Sequence, residues 1–245
     1  MTARQLEFAP WVKHFPASGG ATAVVFPHAG GAAAAYRALA KSLSGNGIDT
    51  HVVQYPQRAD RLRHPAADSI GALAAQLFEA GPWDRLGPLD LFGHCMGAVV
   101  AFEFARVAER NGVTVRTLWA SAGQAPSTVA EAAPLPSTDR DVLADMVDLG
   151  GTDPRLLEDE DFVELLVTAV RADYRALSGY ACGRDVQIRA DIHALRGDRD
   201  HRISREWSQR WASHTAGRFT LSTFPGGHFY LDEHLDEVAA LVGGG

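Results

Sequence analysis

Apolar positions follow two periods along this chain, and segments with one period alternate with segments that have the other. Short apolar runs rich in β-branched residues predict six strands, at residues 21–27, 48–55, 89–94, 115–121, 191–195 and 219–224. Helical spacing predicts helices between them, at residues 34–43, 69–79, 96–110, 204–213 and 234–242. This alternation predicts an α/β protein whose mostly parallel central sheet is flanked by helices.

The alternation stops between residues 124 and 183, where no convincing strand is found. This segment is rich in Asp, Glu and Leu, with helical patterns at 139–148, 154–158 and 161–175. Helices inserted after a central strand predict a helical lid over the carboxyl edge of the sheet. Helices that only pad the core would have the same amphipathic pattern, so padding is the alternative interpretation.

Length and composition favour one domain over residues 1–245, because 46% hydrophobic residues can fill a single large core. No stretch approaches the roughly 18 consecutive apolar residues of a membrane span, and the N-terminus leads into no apolar signal core. We therefore expect a soluble, cytoplasmic protein with no membrane partner. A formal charge of -7 argues against a nucleic-acid partner, which would need clustered Lys and Arg.

The two cysteines, Cys95 and Cys182, are too few for a disulfide framework and lack metal-ligand spacing, so we predict no metal site. Cys95 is the centre of Gly93-His94-Cys95-Met96-Gly97, between a predicted strand and a predicted helix. With serine in the middle, this would be a nucleophile elbow, a strained turn whose glycines allow close approach of strand and helix. Cys95 is therefore a candidate nucleophile, and a buried structural cysteine is the alternative.

Two candidate partners follow Cys95 in the order nucleophile, acid, histidine. His228 lies on a glycine-rich loop after the last predicted strand, where it could take the thiol proton. Asp198 and Asp200 both follow Gly197, and the spacing G-x-x-D selects Asp200 to orient His228. Separately, a loop aspartate is most often a turn former and a loop histidine most often solvated; their joint occurrence favours a triad.

An oxyanion hole needs two backbone N–H groups aimed at the developing charge, each contributing roughly 3–4 kcal/mol to the transition state. The N–H of Met96, which opens the helix after the nucleophile, is the first candidate. The second is the N–H of Ala29, in the loop that follows the first predicted strand. An ordinary glycine-rich turn is the alternative interpretation of this loop.

Six motifs occur in order along the chain: Phe26-Pro27-His28-Ala29-Gly30-Gly31, Gln54-Tyr55-Pro56-x-Arg58, Gly93-His94-x-Met96-Gly97-Ala98, Arg171-Ala172-Asp173-Tyr174, Gly197-Asp198-Arg199-Asp200, and Trp211 with Gly226-Gly227-His228-Phe229. From about residue 21 to 240, the chain thereby resembles the type II (external, editing) thioesterases of polyketide synthases and nonribosomal peptide synthetases, within the α/β-hydrolase superfamily. The resemblance implies release of acyl groups from the phosphopantetheine arm of an acyl or peptidyl carrier protein. It places Cys95, Asp200 and His228 at the family's serine, aspartate and histidine.

The sequence departs from this family at two positions. Gln57 stands where the family usually has Gly, so the adjacent entrance loop could be shaped for another substrate or partner. Cys95 replaces the nucleophilic serine, by nature or by engineering. An acyl group on Cys95 would be a thioester, which favours amines over water more strongly than an oxoester does. Transfer to an amine or a thiol is therefore the alternative to hydrolysis.

Two further hypotheses for the function are a non-catalytic scaffold for carrier proteins and a cysteine hydrolase of the dienelactone hydrolase type. The presence of Asp200, His228 and both oxyanion-hole loops argues against a scaffold, which would not need them. The Pro27-His28-Ala29-Gly30-Gly31 loop and the long helical insertion fit a dienelactone hydrolase less well. We expect a monomer without a cofactor of its own, because the substrate carries the phosphopantetheine.

Docking of an acidic carrier protein on this acidic chain requires a local basic rim. Arg58, Arg61 and Arg63 are the candidates, on the loop after the second predicted strand. The alternative is a solvated loop whose arginines pair with Asp60 and nearby acids. We also expect His28, beside Ala29, to contact the substrate.

Overall fold

The computed structural model describes residues 8–151 and 154–244. Within them, one sheet contains β1 (Val12–Phe15), β2 (Ala21–Phe26), β3 (Ile48–Val53), β4 (Leu89–His94), β5 (Val115–Ser121), β6 (Asp191–Gly197) and β7 (Phe219–Phe224). Its strand order is β1-β3-β2-β4-β5-β6-β7, and β1 alone runs antiparallel to its neighbour, β3. The prediction of a mostly parallel α/β sheet is confirmed. Strand β1 was not predicted.

The helices of the described residues are α1 (Arg37–Gly45), α2 (Ile70–Glu79), α3 (Met96–Arg110), α4 (Asp139–Leu149), α5 (Glu160–Ser178), α6 (Arg205–Gln209) and α7 (Leu235–Gly243). At the start of four of these helices, the side chain of the N-cap residue accepts a hydrogen bond from a backbone N–H of the first turn. These N-cap residues are Ser69, Thr138, Asp159 and Ser204. The helix predicted at residues 204–213 is divided into α6 and a 3-10 helix, Arg210–His214.

The central strands are buried on both faces, as expected for a parallel sheet covered by helices. Alternate residues of β2 and β4 point to opposite sides. Val24 and Leu91 belong to a core shared with α2 and α3, whereas Val25 and Phe92 belong to a core shared with α1 and α7. This packing holds the carboxyl ends of β2 and β4 side by side, where the candidate site residues lie.

Helices α4 and α5 form a small apolar cluster of their own, built from Val142, Met146, Val167, Val170 and Tyr174. The backbone N–H of Gly30, after β2, donates a 2.8 Å hydrogen bond to Asp173 of α5. The α4–α5 segment therefore covers the loop after β2, and its action as a lid stays a prediction. Within the described residues, no helix is both long and apolar enough to span a membrane.

Candidate active site

Cys95 occupies a strained turn between β4 and α3. Its φ of 55° and ψ of -120° lie in a region that L-residues rarely adopt, and its N–H donates a 2.8 Å hydrogen bond to the carbonyl of Ser121. A Cβ on Gly93 would lie 2.3 Å from the Gly97 carbonyl, and one on Gly97 would lie 2.0 Å from the Phe26 carbonyl. Both positions therefore require glycine, and the turn has the geometry of a nucleophile elbow.

Asp200 and His228 form a buried pair beside Cys95. A 2.9 Å hydrogen bond joins Nδ1 of His228 to Oδ2 of Asp200. The N–H groups of Arg202 and Ile203 donate to Oδ1 of Asp200, at 2.8 and 3.1 Å. Burial raises the pKa of Asp200, but the contacts with His228 and the two N–H groups outweigh it and leave the pKa below its usual value. Asp200 is therefore ionised at neutral pH.

Asp198, the other carboxylate considered from the sequence, has a different partner. Its Oδ1 accepts a 2.9 Å hydrogen bond from the N–H of Gly226, which ties the turn after β6 to the loop before His228. The structure thus brings Asp200, and not Asp198, to the imidazole of His228.

Charge attraction dominates the electrostatics of Cys95 and His228. Burial raises the pKa of the Cys95 thiol, but the positive charge of His228 more than compensates and the pKa is lowered. Burial lowers the pKa of His228, but the Cys95 thiolate and Asp200 raise it above its usual value. The pair therefore favours a thiolate and an imidazolium. Both residues line one small cavity of about 40 Å³.

The two predicted oxyanion-hole residues, Ala29 and Met96, line the same small cavity. The Met96 N–H is close enough to the Cys95 sulfur to lower its pKa through a hydrogen bond. The Ala29 N–H has no hydrogen-bond acceptor among the described residues, while its neighbour Gly30 donates to Asp173. Both residues lie beside Cys95, and their role as an oxyanion hole stays a prediction.

His28 is a neutral, anchored side chain in the loop after β2. Its Nδ1 is 2.7 Å from the hydroxyl of Tyr36, and its ring packs edge-on against Phe229 at 5.0 Å between centroids. Burial lowers its pKa to about 3, assisted by the charges of His228 and Arg58. His28 lines a cavity that also contacts Cys95, and its contact with the substrate stays a prediction.

The expectation that Arg58 and Arg61 form an exposed docking rim is wrong, because 7% and 3% of their surfaces are exposed. Arg58 donates to the Gly31 carbonyl at 3.1 Å and forms an ion pair with Asp173. Its interactions connect the loop after β2 to α5, and Arg58 also lines the cavity that contacts His28 and Cys95.

Arg61 does not belong to the lining of that cavity. Its guanidinium lies 3.5 Å from the ring centroid of Trp11 and donates a 2.9 Å hydrogen bond to the Gln54 carbonyl. Asp60, considered as a partner for the arginines, forms an ion pair with Lys13 at 2.5 Å. Only Arg63, of the three arginines, is exposed.

Gln57 adopts a φ of 65°, in the left-handed region that favours glycine. Its N–H donates a 3.0 Å hydrogen bond to the Arg61 carbonyl, which closes the loop after β3. The backbone conformation explains why glycine suits this position. The side chain of Gln57 contributes to the wall of the larger cavity.

The larger cavity has a volume of about 570 Å³ and reaches Cys95. One wall comes from the loops after β2 and β3, and the other from α4, α5 and their connection. The α4–α5 wall is mostly apolar and includes Met146, Leu149, Phe162, Leu165, Leu166, Ala169 and Tyr174. A partly apolar ligand fits this chemistry.

The sequence did not predict a polar cluster between α4 and the turn after β6. Asp145 forms an ion pair with Arg202 and accepts a 2.6 Å hydrogen bond from the Tyr174 hydroxyl. Arg202 and Tyr174 line the small cavity next to Cys95. Tyr174 belongs to a recognised motif, but its link to Asp145 and Arg202 depends on packing between distant segments.

A second unpredicted network supports the elbow. Nδ1 of His94 is 2.9 Å from the Ser121 hydroxyl, which is 2.7 Å from the Tyr230 hydroxyl. Burial holds the pKa of His94 well below its usual value, so the ring stays neutral. The network joins the ends of β4 and β5 to the turn that follows His228.

Comparison with known proteins agrees with this geometry. The family described as Thioesterase domain matches residues 22–244. Phenyloxazoline synthase MbtB of Mycobacterium tuberculosis is 73% identical over 239 residues, or 97% of this chain, and the chain spans 17% of the length of MbtB. Thioesterase PikA5 of Streptomyces venezuelae is 37% identical over 232 residues, 93% of this chain and 82% of PikA5.

Solved structures extend the similarity to three dimensions. The type II thioesterase BorB from the borrelidin biosynthetic cluster has a TM-score of 0.83 and 37% identity, over 98% of both chains. YbtT, a type II thioesterase from the Yersiniabactin NRPS/PKS biosynthetic pathway, has a TM-score of 0.80 and 28% identity, over 95% of this chain and 96% of YbtT. The chain therefore belongs to the thioesterase family and has its α/β-hydrolase fold.

Proposed function

We propose that this chain releases acyl groups from phosphopantetheine-bearing carrier proteins of a polyketide or nonribosomal peptide pathway, with Cys95 as nucleophile. The observation that carries the proposal is the 2.9 Å hydrogen bond between Asp200 and His228, next to a cysteine at a strained elbow. The names of PikA5, BorB and YbtT support the substrate class, since each denotes a thioesterase and YbtT's pathway is an NRPS/PKS pathway.

In the first half-reaction, the Cys95 thiolate attacks the carbonyl carbon of the substrate thioester and forms a new C–S bond. The N–H groups of Ala29 and Met96 stabilise the resulting oxyanion. When the intermediate collapses, the C–S bond to pantetheine breaks and the departing thiolate takes a proton from His228. Asp200 holds the imidazole in the tautomer and orientation that this transfer needs.

In the second half-reaction, water attacks the acyl group on Cys95 while His228 accepts a proton from the water. Collapse of the second oxyanion breaks the bond to Cys95, and the acid leaves. The cavity of about 570 Å³ is the proposed path for the acyl chain and its pantetheine arm. The α4–α5 segment would act as its lid. The proposal includes a cytoplasmic monomer with no cofactor of its own.

A second candidate function is transfer of the acyl group to an amine or another thiol. The presence of Cys95 at the elbow favours it, because the acyl-enzyme is then a thioester, which reacts with amines more readily relative to water than an oxoester does. In this reaction the amine attacks the acyl carbon, His228 accepts the amine proton, and the Cys95 thiolate leaves. The product is an amide in place of a free acid.

Incubation of an acyl-carrier protein with the enzyme, with and without an added amine, distinguishes the two functions by mass spectrometry. We expect Cys95→Ala to abolish acyl release with an unchanged circular dichroism spectrum. If transfer is the natural task, Cys95→Ser retains hydrolysis and forms less amide. Undiminished release by Cys95→Ala would rule out the proposed nucleophile, and an unchanged water-to-amine partition in Cys95→Ser would contradict transfer.

Alkylation provides an independent test of the nucleophile. The pKa of Cys95 is lowered mainly by His228, against the effect of burial, whereas burial raises the pKa of Cys182. At neutral pH, iodoacetamide should therefore modify Cys95 faster than Cys182, with loss of activity that parallels modification of Cys95. Peptide mapping that showed Cys182 modified first would contradict the thiolate assignment.

A further inference from the structure

Two histidines and an aspartate lie together at the β1 edge of the sheet, away from the candidate active site. His14 of β1 and His51 of β3 are directly opposite in the antiparallel register. Asp49 precedes His51 by two residues, so its side chain lies on the same face of β3. Because Asp49 is near the amino end of β3 and Cys95 follows the carboxyl end of β4, the cluster and the elbow are at opposite ends of the sheet.

The polar atoms of this cluster converge. Nε2 of His14 is 2.8 Å from Oδ1 of Asp49, and Nε2 of His51 is 3.1 Å from Oδ2. One candidate ligand atom from each residue lies within 4.8 Å of the other two. Ligand atoms about 2.0–2.2 Å from a tetrahedral Zn²⁺ are themselves roughly 3.3–3.6 Å apart. The two imidazole rings are stacked, with 4.5 Å between centroids and 14° between planes, so ring rotations of His14 and His51 would have to accompany coordination of one ion.

One histidine of the cluster is buried and the other is partly exposed to solvent. The His51 side chain is 4% exposed, and its ring packs against Phe8 at 5.4 Å between centroids. Asp49 is held by a 3.1 Å hydrogen bond from the N–H of Ala17. The His14 side chain is 43% exposed, which leaves a path for an ion and a position for a water ligand.

The surroundings of His51 determine which of its ring nitrogens faces the cluster. Nδ1 of His51 is buried without a hydrogen-bond partner among the described residues, so Nε2, on the side of Asp49, is the nitrogen that reaches the cluster.

We propose that His14, Asp49 and His51 bind a divalent transition-metal ion such as Zn²⁺, with water as the fourth ligand. Two imidazoles and a carboxylate are a ligand set that Zn²⁺ accepts. Because His14 and His51 come from different strands, the ion would cross-link β1 to β3. The ion would thereby stabilise the attachment of the antiparallel edge strand without taking part in acyl release.

Isothermal titration of the metal-free protein with ZnCl₂ at neutral pH tests the site. We expect one zinc equivalent to bind, and His14→Ala and Asp49→Asn to weaken binding at least tenfold. His201→Ala is the matched control, because His201 is exposed and contacts one carboxylate, that of Asp148 at 3.1 Å. Absence of zinc binding, wild-type affinity in His14→Ala, or an equal loss in His201→Ala would overturn the proposal.

The candidate active site also contains a thiol and an imidazole, so the location of the ion needs its own control. Zinc should bind Cys95→Ala with wild-type affinity, and the Co²⁺ complex should lack a thiolate charge-transfer band. At a free zinc concentration one hundred times the Kd, the Tm should rise by roughly 5–10 °C in the wild type and not in His14→Ala. Loss of binding in Cys95→Ala, a thiolate band, or an equal rise in His14→Ala would assign the ion elsewhere and refute the site.

Discussion

At the scale of single residues, the Cys95 thiol is subject to two opposing effects. Burial raises its pKa, and the positive charge of His228 lowers it by more. A serine hydroxyl at this position would stay protonated and would need His228 to remove its proton during attack. In the proposed mechanism, the Cys95 thiolate needs His228 first as a counter-ion and then as a proton donor. The proposal therefore requires His228 to stay oriented throughout the reaction.

The two carboxylates after Gly197 provide a matched test of this requirement. Asp200→Asn should lower kcat/KM by about 10⁴, as expected when the orienting carboxylate of a triad is lost. Asp198→Asn keeps a side-chain oxygen for the Gly226 N–H and should cost less than tenfold. Kinetics with a free pantetheine thioester, alongside circular dichroism, measure both effects. Equal losses in two folded variants would contradict the role of Asp200.

The sequence predicted the positions of residues that belong to local motifs, and failed where a contact depends on residues distant in the chain. The elbow glycines and the spacing from Gly197 pointed to Cys95 and Asp200, and the structure brings their side chains to His228. Arg61 was expected at the surface as part of a basic docking rim on the loop after the second predicted strand. It is buried by Trp11, which comes from a segment fifty residues earlier in the chain.

At the scale of elements, the sequence pattern predicted the bounds of longer strands and helices but missed a strand of four residues. Helix α3 and strands β4, β5 and β7, each at least six residues long, have the predicted bounds. Strand β1 was missed because Val12–Phe15 is only four residues long, with two polar residues between its apolar ends. Its partner in β3 determines that it is a strand. The His14, Asp49 and His51 cluster was missed for the same reason, because it exists only when β1 pairs with β3.

The junction of β4 and α3 also predicts how the elbow responds to substitution. A Cβ on Gly97 would lie 2.0 Å from the Phe26 carbonyl, so Gly97→Ala should lower the free energy of unfolding by about 3 kcal/mol and reduce activity. In α2, a Cβ on Gly71 meets no atom within 4 Å, so Gly71→Ala should be neutral or stabilise by up to about 1 kcal/mol. Urea denaturation measures both; a stable, active Gly97→Ala would show that the elbow can relax.

At the scale of the whole molecule, charge restricts how a carrier protein could dock. The chain has a formal charge of -7, so long-range attraction to an acidic carrier protein is absent. Burial of Arg58 and Arg61 removes two of the three cations expected at the docking rim and leaves Arg63 exposed beside the apolar Leu62. Leu62 lines the larger cavity and is 44% exposed. Docking next to this cavity would therefore combine apolar contact at Leu62 with the charge of Arg63.

The two arginines next to Leu62 should consequently respond differently to charge reversal. Arg61→Glu buries an unpaired carboxylate beside Trp11 and should lower the free energy of unfolding by about 3–5 kcal/mol. Arg63→Glu should change stability by less than about 0.5 kcal/mol, because the side chain is exposed. If Arg63 meets the carrier protein, Arg63→Glu should raise KM for acyl-carrier protein several-fold and leave hydrolysis of a free pantetheine thioester unchanged. The increase should diminish at high salt, because the contact would be an exposed ion pair. An equal loss on both substrates would place Arg63 at the cavity and not at the docking surface.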